Sequence, residues 1–168
     1  MLVLAFGNPG RRDDGLGPAC AAALEEFPLP GVRIDVDYQL TVEDAAAAAA
    51  HDVVVFVDAD CRGDAPFSWR QIGPEASASF SSHSVSPQGV LGLARELFGA
   101  APRAYLLGIR GYEFNEFGEG LSAAAQQNLA AALGFLVPIL RDGAFGDDAD
   151  PAGPHAGAPA AASCGDKR

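Results

Sequence analysis

The chain has 168 residues, about half of them hydrophobic, and a formal net charge of -11. That length suits one domain with a sizeable core rather than two domains. So acidic a chain disfavours nucleic acid and anionic membrane as partners, because phosphates would be repelled, while cationic partners and metal ions stay open.

The first segment, Leu2-Val-Leu-Ala-Phe6, is an unbroken apolar run that stops at Gly7-Asn8-Pro9-Gly10. It predicts a strand buried on both faces and ended by a turn. After the charged Arg11-Arg12-Asp13-Asp14, the Ala- and Leu-rich stretch from about Gly15 to Phe27 predicts a helix closed by Pro28. Val32 to Tyr38 alternates apolar and polar residues and predicts a less buried strand. Thr41 is placed to cap a helix through the alanine tract to His51, since alanine is the strongest helix former. Val53-Val-Val-Phe-Val57 is a second fully apolar strand.

Phe67-Ser-Trp-Arg-Gln-Ile72 predicts a short edge strand, and Pro74 to Ser82 reads as loop. Ser86-Pro87 supplies a cap residue and a proline at the first helical position, for a helix running to Phe98 and stopping at Gly99. Tyr105 to Ile109 is a third apolar strand. Ser122 opens the last helix, which runs to about Leu140 with Pro138 inside it. From Gly143 the composition turns to Gly, Ala, Pro and Asp. The expectation is an α/β domain over residues 1–142 and a disordered tail over 143–168.

Strands and helices alternate, and three strands are apolar throughout. The fold class this predicts is α/β: a three-layer arrangement with a mostly parallel twisted sheet of about five strands and helices on both faces. The chain carries no run of roughly 20 apolar residues, the length a bilayer span requires, and no secretory signal at Met1 to Phe6. Cys20, Cys61 and Cys164 share no C-x-x-C spacing, which predicts three free thiols in a reducing, cytoplasmic setting.

In parallel sheets ligands gather at the carboxyl ends of the strands, which singles out the residues after Phe6, Val57 and Ile109. Asp13 and Asp14 follow the first of these. One aspartate suffices to cap a helix, so a pair exceeds what capping needs. Asp58 ends a buried strand, where a carboxylate loses hydration unless it is paired or coordinating. His83 precedes the Ser86-Pro87 helix, whereas His51 is expected on the surface and His155 in the tail. Two carboxylates and one imidazole suit a divalent nickel- or zinc-like ion. Two aspartates can also share a proton as a protease dyad. Ser82 beside His83 lacks a G-x-S-x-G elbow. Gly7 to Gly10 after the first strand hints at a nucleotide loop, but the spacing is not G-x-G-x-x-G, and Lys167 is the chain's only lysine.

These residues resemble the hydrogenase maturation protease family. The resemblance rests on Gly7-Asn8-Pro9-Gly10-Arg11-Arg12-Asp13-Asp14-Gly15-Leu16-Gly17, on Val57-Asp58-Ala59, and on Ser82-His83-Ser84 ahead of Ser86-Pro87. Gly108-Ile109-Arg110-Gly111 and Gly118-Glu119-Gly120-Leu121-Ser122 are similar to later family segments, so the likeness spans about residues 1–141. It implies metal ligands, and a catalytic centre, at Asp14, Asp58 and His83. It further implies an endopeptidase that clips a C-terminal extension from the large-subunit precursor of a nickel–iron hydrogenase after nickel insertion. The nickel is then supplied by the precursor rather than held permanently, and the enzyme is expected to be a monomer. Two departures are Ala5, where the family often has glycine, and aspartate at position 14, where some members have glutamate. The alternatives left open are a nucleotide-binding module and a non-catalytic, nickel-checking chaperone on the same fold.

Overall fold

A computed structural model describes residues 1–75 and 85–146. It contains strands β1 (Leu2–Phe6), β2 (Arg33–Asp37), β3 (Val53–Asp60), β4 (Phe67–Ile72) and β5 (Arg103–Arg110). The helices are α1 (Leu16–Leu24), α2 (Asp44–Ala49), α3 (Pro87–Phe98) and α4 (Ala123–Asp142), with a single 3-10 turn at Arg12–Gly15 ahead of α1.

The strands form one sheet in the order β2-β1-β3-β5-β4. Every pairing is parallel except that of β4 with β5, which is antiparallel. The alternation of side chains across a strand then divides the apolar residues between two cores. Val3, Ala5, Val55, Val57, Leu107 and Ile109 pack with α1 and α4. Leu2, Leu4, Val54, Phe56 and Leu106 pack with α2 and α3 on the opposite face. This is the three-layer α/β architecture that the apolar strands predict.

Local signals hold at several ends. Ser86 accepts a hydrogen bond from the Gly89 N–H with Pro87 at the first helical position, and Gly99 closes α3 with φ 65°. Ser122 accepts from the Ala125 N–H at the start of α4. At α2 the expected cap is reversed: the Asp44 carboxylate accepts from the N–H and hydroxyl of Thr41. A carboxylate accepts more strongly than a hydroxyl, so Thr41 acts as donor and α2 starts without a side-chain cap bond.

Strand β3 runs three residues past its apolar stretch, because Asp58, Ala59 and Asp60 continue pairing with Gly108, Ile109 and Arg110. Helix α4 is long and apolar enough, by length and composition, to cross a membrane, contrary to expectation. Its apolar stripe of Ala125, Ala132, Leu136, Val137 and Leu140 is nonetheless buried in the core beside α1. Phe145, three residues beyond α4, is also buried, its ring 5.1 Å from that of Tyr105. Tyr105 stacks in turn on Trp69 at 5.0 Å.

Cys20 is a buried free thiol, pushed up to about 12 by burial. Cys61 is disulfide-bonded, which corrects the expectation of a free thiol there. Cys164 and the 147–168 part of the expected tail lie outside the described residues.

Candidate active site at the carboxyl edge of the sheet

Chain connections leave the sheet in opposite directions from β1 and β3. The crossover after β1 leads outward to β2, whereas β3 is followed by β4 and β5 on its other side. A crevice opens between the carboxyl ends of two strands at such a switch point. Asp14 lies just beyond β1 and Asp58 near the end of β3, so the two expected carboxylates flank that crevice.

Asp14 sits in the 3-10 turn. Its Oδ2 accepts the Asn8 N–H at 3.1 Å, and its own N–H donates to Arg11 O. Gly7 has φ 139°, and a Cβ there would lie 2.1 Å from the Asp14 carbonyl oxygen. The Gly-Asn turn therefore lets the backbone of residue 14 press against the end of β1. Gly17, at the start of α1, is wedged against Phe6 O and Val57 O, and a Cβ would come within 2.2 and 2.9 Å of them. Both glycines set how closely the acidic turn approaches the two strand ends.

Burial raises the Asp14 carboxyl above its ordinary value, against the pull of the Asn8 amide and the Arg11 charge. Asp58 is moved much further, to about 7. Desolvation is the main cause, the Ala59 amide at 2.7 Å opposes it, and the charges of Asp14 and Asp60 add to it. Asp14 and Asp58 thus interact across the crevice. Near neutral pH one is ionised while the other is poised to hold a proton. Among the described residues, Asp14 Oδ1 and Asp58 Oδ2 accept no hydrogen bond. Those oxygens are available to a substrate, a water or a cation.

The neighbouring Asp13 has the opposite fate. It is fully buried, and its carboxylate accepts from the N–H groups of Tyr112, Glu113 and Ser122 and from the Ser122 hydroxyl, at 2.7 to 3.0 Å. Desolvation would raise its pKa, but those four bonds outweigh it and lower the pKa overall. Sequence reasoning allowed one member of the acidic pair a structural role and could not say which. The donors lie about a hundred residues away in the chain, so nothing local to the pair distinguishes it. Arg12, immediately before the pair, adopts φ 52°, a conformation few non-glycine residues occupy. Its N–H donates to Gly118 O, while the Gly118 N–H donates to Gly10 O.

The Gly7–Gly10 turn has no amide left for a phosphate. Gly7 N–H donates to Asp37 O, Asn8 N–H to Asp14 Oδ2, and Gly10 N–H to Asn8 Oδ1, while Pro9 has none. Anion-binding loops need converging free N–H groups, and here a carboxylate already occupies that position. The nucleotide-binding reading loses its structural basis.

His83, the third expected site residue, lies outside the described residues, as does Ser82. Among the described residues no group of three or more His, Cys, Asp or Glu side chains could hold a metal ion. His51 is half-buried rather than exposed, with Nδ1 2.8 Å from Ala47 O in the preceding helix α2. It lies at the amino end of β3, away from Asp14 and Asp58.

Solved structures match this chain over most of its length. HybD, a hydrogenase maturating endopeptidase from E. coli, shares 24% identity with a TM-score of 0.64, over 85% of this chain and 93% of its own. HycI, a [NiFe] hydrogenase maturation protease from Thermococcus kodakarensis, shares 23% with a TM-score of 0.63, over 83% and 90%. A hydrogenase 2 maturation peptidase from a Thaumarchaeota archaeon shares 22% at 0.59, over 83% and 96%. The fold is that of the hydrogenase maturation proteases. No protein-family model and no curated protein sequence matches the chain. The maturation-protease fold thus holds Asp14 and Asp58 at its switch point, with Asp13 buried beside them.

Proposed function

We propose that this chain is an endopeptidase that removes a C-terminal extension from the large-subunit precursor of a nickel–iron hydrogenase. The observation that carries the reading is the pair of coupled carboxylates, Asp14 and Asp58, at the switch point of a fold shared with maturation proteases. Peptide hydrolysis needs a base for the attacking water and an acid for the leaving nitrogen. Near neutral pH, an ionised Asp14 can take the water proton while a protonated Asp58 supplies one to the leaving group.

His83 joins them in this proposal as the nitrogen donor. In its support, Val85, two residues further on, donates its N–H to Leu40 O just past the carboxyl end of β2. Two carboxylate oxygens and one imidazole nitrogen fit a borderline divalent ion and leave coordination positions open. The precursor's nickel is then the feature recognised, and nickel bound beside the scissile carbonyl would supply Lewis acidity there. In this second, metal-assisted route Asp58 is ionised, and the cation would offset the desolvation and the Asp14 and Asp60 charges that raise its pKa. The leaving nitrogen then takes the proton that Asp14 removes from water.

The test is a gel assay of nickel-loaded and nickel-free precursor with the native chain, His83→Ala and His51→Ala. The expected result is cleavage of the loaded precursor by the native chain and by His51→Ala, with a loss of about 100-fold or more in His83→Ala. Equal cleavage of both precursors would refute nickel recognition, and full activity in His83→Ala would remove that residue from the site.

A further inference from the structure

We propose that Asp13 is a positioning residue, whose buried carboxylate clamps the 111–122 loop onto the 3-10 turn and so fixes where Asp14 points. The inference rests on the reading of Asp14 as a working carboxylate, and it concerns a side chain that touches neither substrate nor metal.

Its basis is the connection between two distant stretches of chain. One carboxylate collects three backbone N–H groups and a hydroxyl from residues 112, 113 and 122. Each of those donors would be left without a partner if Asp13 were removed, and a buried amide without a partner is strongly unfavourable. Backbone bonds reinforce the same junction: Asp13 N–H to Glu113 O at 2.9 Å and Arg12 N–H to Gly118 O at 3.0 Å. An isolated bridge pairs Arg11 with Gly118 beside them.

Asp14 is the next residue in the chain. On one side it is held by the peptide that carries the clamp, and on the other by the Asn8 N–H reaching Oδ2. Charged acceptors hold such arrays more tightly than neutral ones, so asparagine is a poor replacement at position 13 despite its equal size. Its amide group would turn an N–H₂ toward backbone N–H donors. Ser122 takes part twice, as donor to Asp13 and as N-cap of α4. The orientation of Asp14 is thereby tied to the start of the last helix, through a side chain that does no chemistry.

The Asn8 amide reports on this directly, because its N–H is bonded to Asp14 Oδ2. In Asp13→Asn, the amide resonance of Asn8 should move toward the position it takes in Asp14→Asn. The amides of Tyr112 and Glu113 should exchange faster in the same variant. Precursor cleavage should fall about tenfold in kcat with KM little changed, as expected when an interaction made in the transition state is misaligned. Should Asp13→Asn fail to fold, Ser122→Ala decides the matter: it removes one donor and should move the Asn8 resonance in the same direction, while Ser122→Thr restores it. An Asn8 resonance that stays in place while Tyr112 and Glu113 lose protection would overturn the proposal, leaving Asp13 as loop structure alone. Unchanged exchange at Tyr112 and Glu113 would overturn it too. A chain that cuts no precursor leaves the amide readout intact, so failure of the peptidase reading stays separate from failure of the clamp.

Discussion

Replacing Asp58 with asparagine should abolish precursor processing and, above pH 7, raise the melting temperature. The sign follows from a folded-state pKa of about 7, raised from an ordinary 3.8. Between those values the folded protein holds a proton that the unfolded chain has lost, so stability falls as pH rises through that window. Above it, the ionised carboxylate remains desolvated beside Asp14 and Asp60, a penalty on the order of a few kcal/mol at most. Asparagine mimics the protonated form and carries no such penalty. The variant should therefore gain roughly 5 °C at pH 8 and little at pH 4, measured by thermal unfolding monitored by circular dichroism. Processing should fall by a factor of roughly 100 or more, because the amide can neither donate nor accept the proton that hydrolysis moves. A functional residue that opposes stability in this way differs from a structural one, whose loss would lower the melting temperature. A lower melting temperature at pH 8 would contradict the desolvated, charge-opposed environment assigned to Asp58.

Gly17→Ala should have a large effect on the fold. The added methyl group would meet Phe6 O at 2.2 Å and Val57 O at 2.9 Å, both backbone atoms that cannot swing aside. Relief requires α1 to lift from the carboxyl ends of β1 and β3, where Leu16, Cys20 and Leu24 are fully buried. Overpacking of this kind costs about 1–3 kcal/mol or more. It should also widen the crevice between Asp14 and Asp58, so activity should fall further than the loss of folded protein explains. The check is a denaturant midpoint alongside specific activity. A variant with unchanged midpoint would show that α1 does not seat as closely as the structure has it.

The sheet was legible because parallel strands covered on both faces require apolar side chains at every position. Val53 to Val57 and Tyr105 to Ile109 meet that requirement, and they form the first part of β3 and the interior of β5. The extension of β3 through Asp58 to Asp60 was not legible, since polar residues ending an apolar run look like the start of a loop. It is Gly108 and Arg110 on the partner strand that keep them paired. The crevice itself followed from strand alternation, and with it the places of Asp14 and Asp58. The different fates of Asp13 and Asp14 did not follow. Which of two adjacent carboxylates is buried depends on where Tyr112, Glu113 and Ser122 present their donors, and that is a tertiary fact. The reversal at Thr41 has a local cause: Asp44 three residues on is the better acceptor, and a cap reading that considers only the first polar residue overlooks it.

The most direct measurement is the intact mass of a nickel-loaded large-subunit precursor after incubation with the native chain, Asp14→Asn and Asp58→Asn. A peptidase at this site should yield a single shortened product and one released C-terminal peptide with the native chain, their masses summing to that of the precursor plus one water. Both aspartate variants should leave the precursor at full mass while still folding. A precursor that binds the native chain and keeps its full mass would contradict the account and leave a chaperone on the same fold.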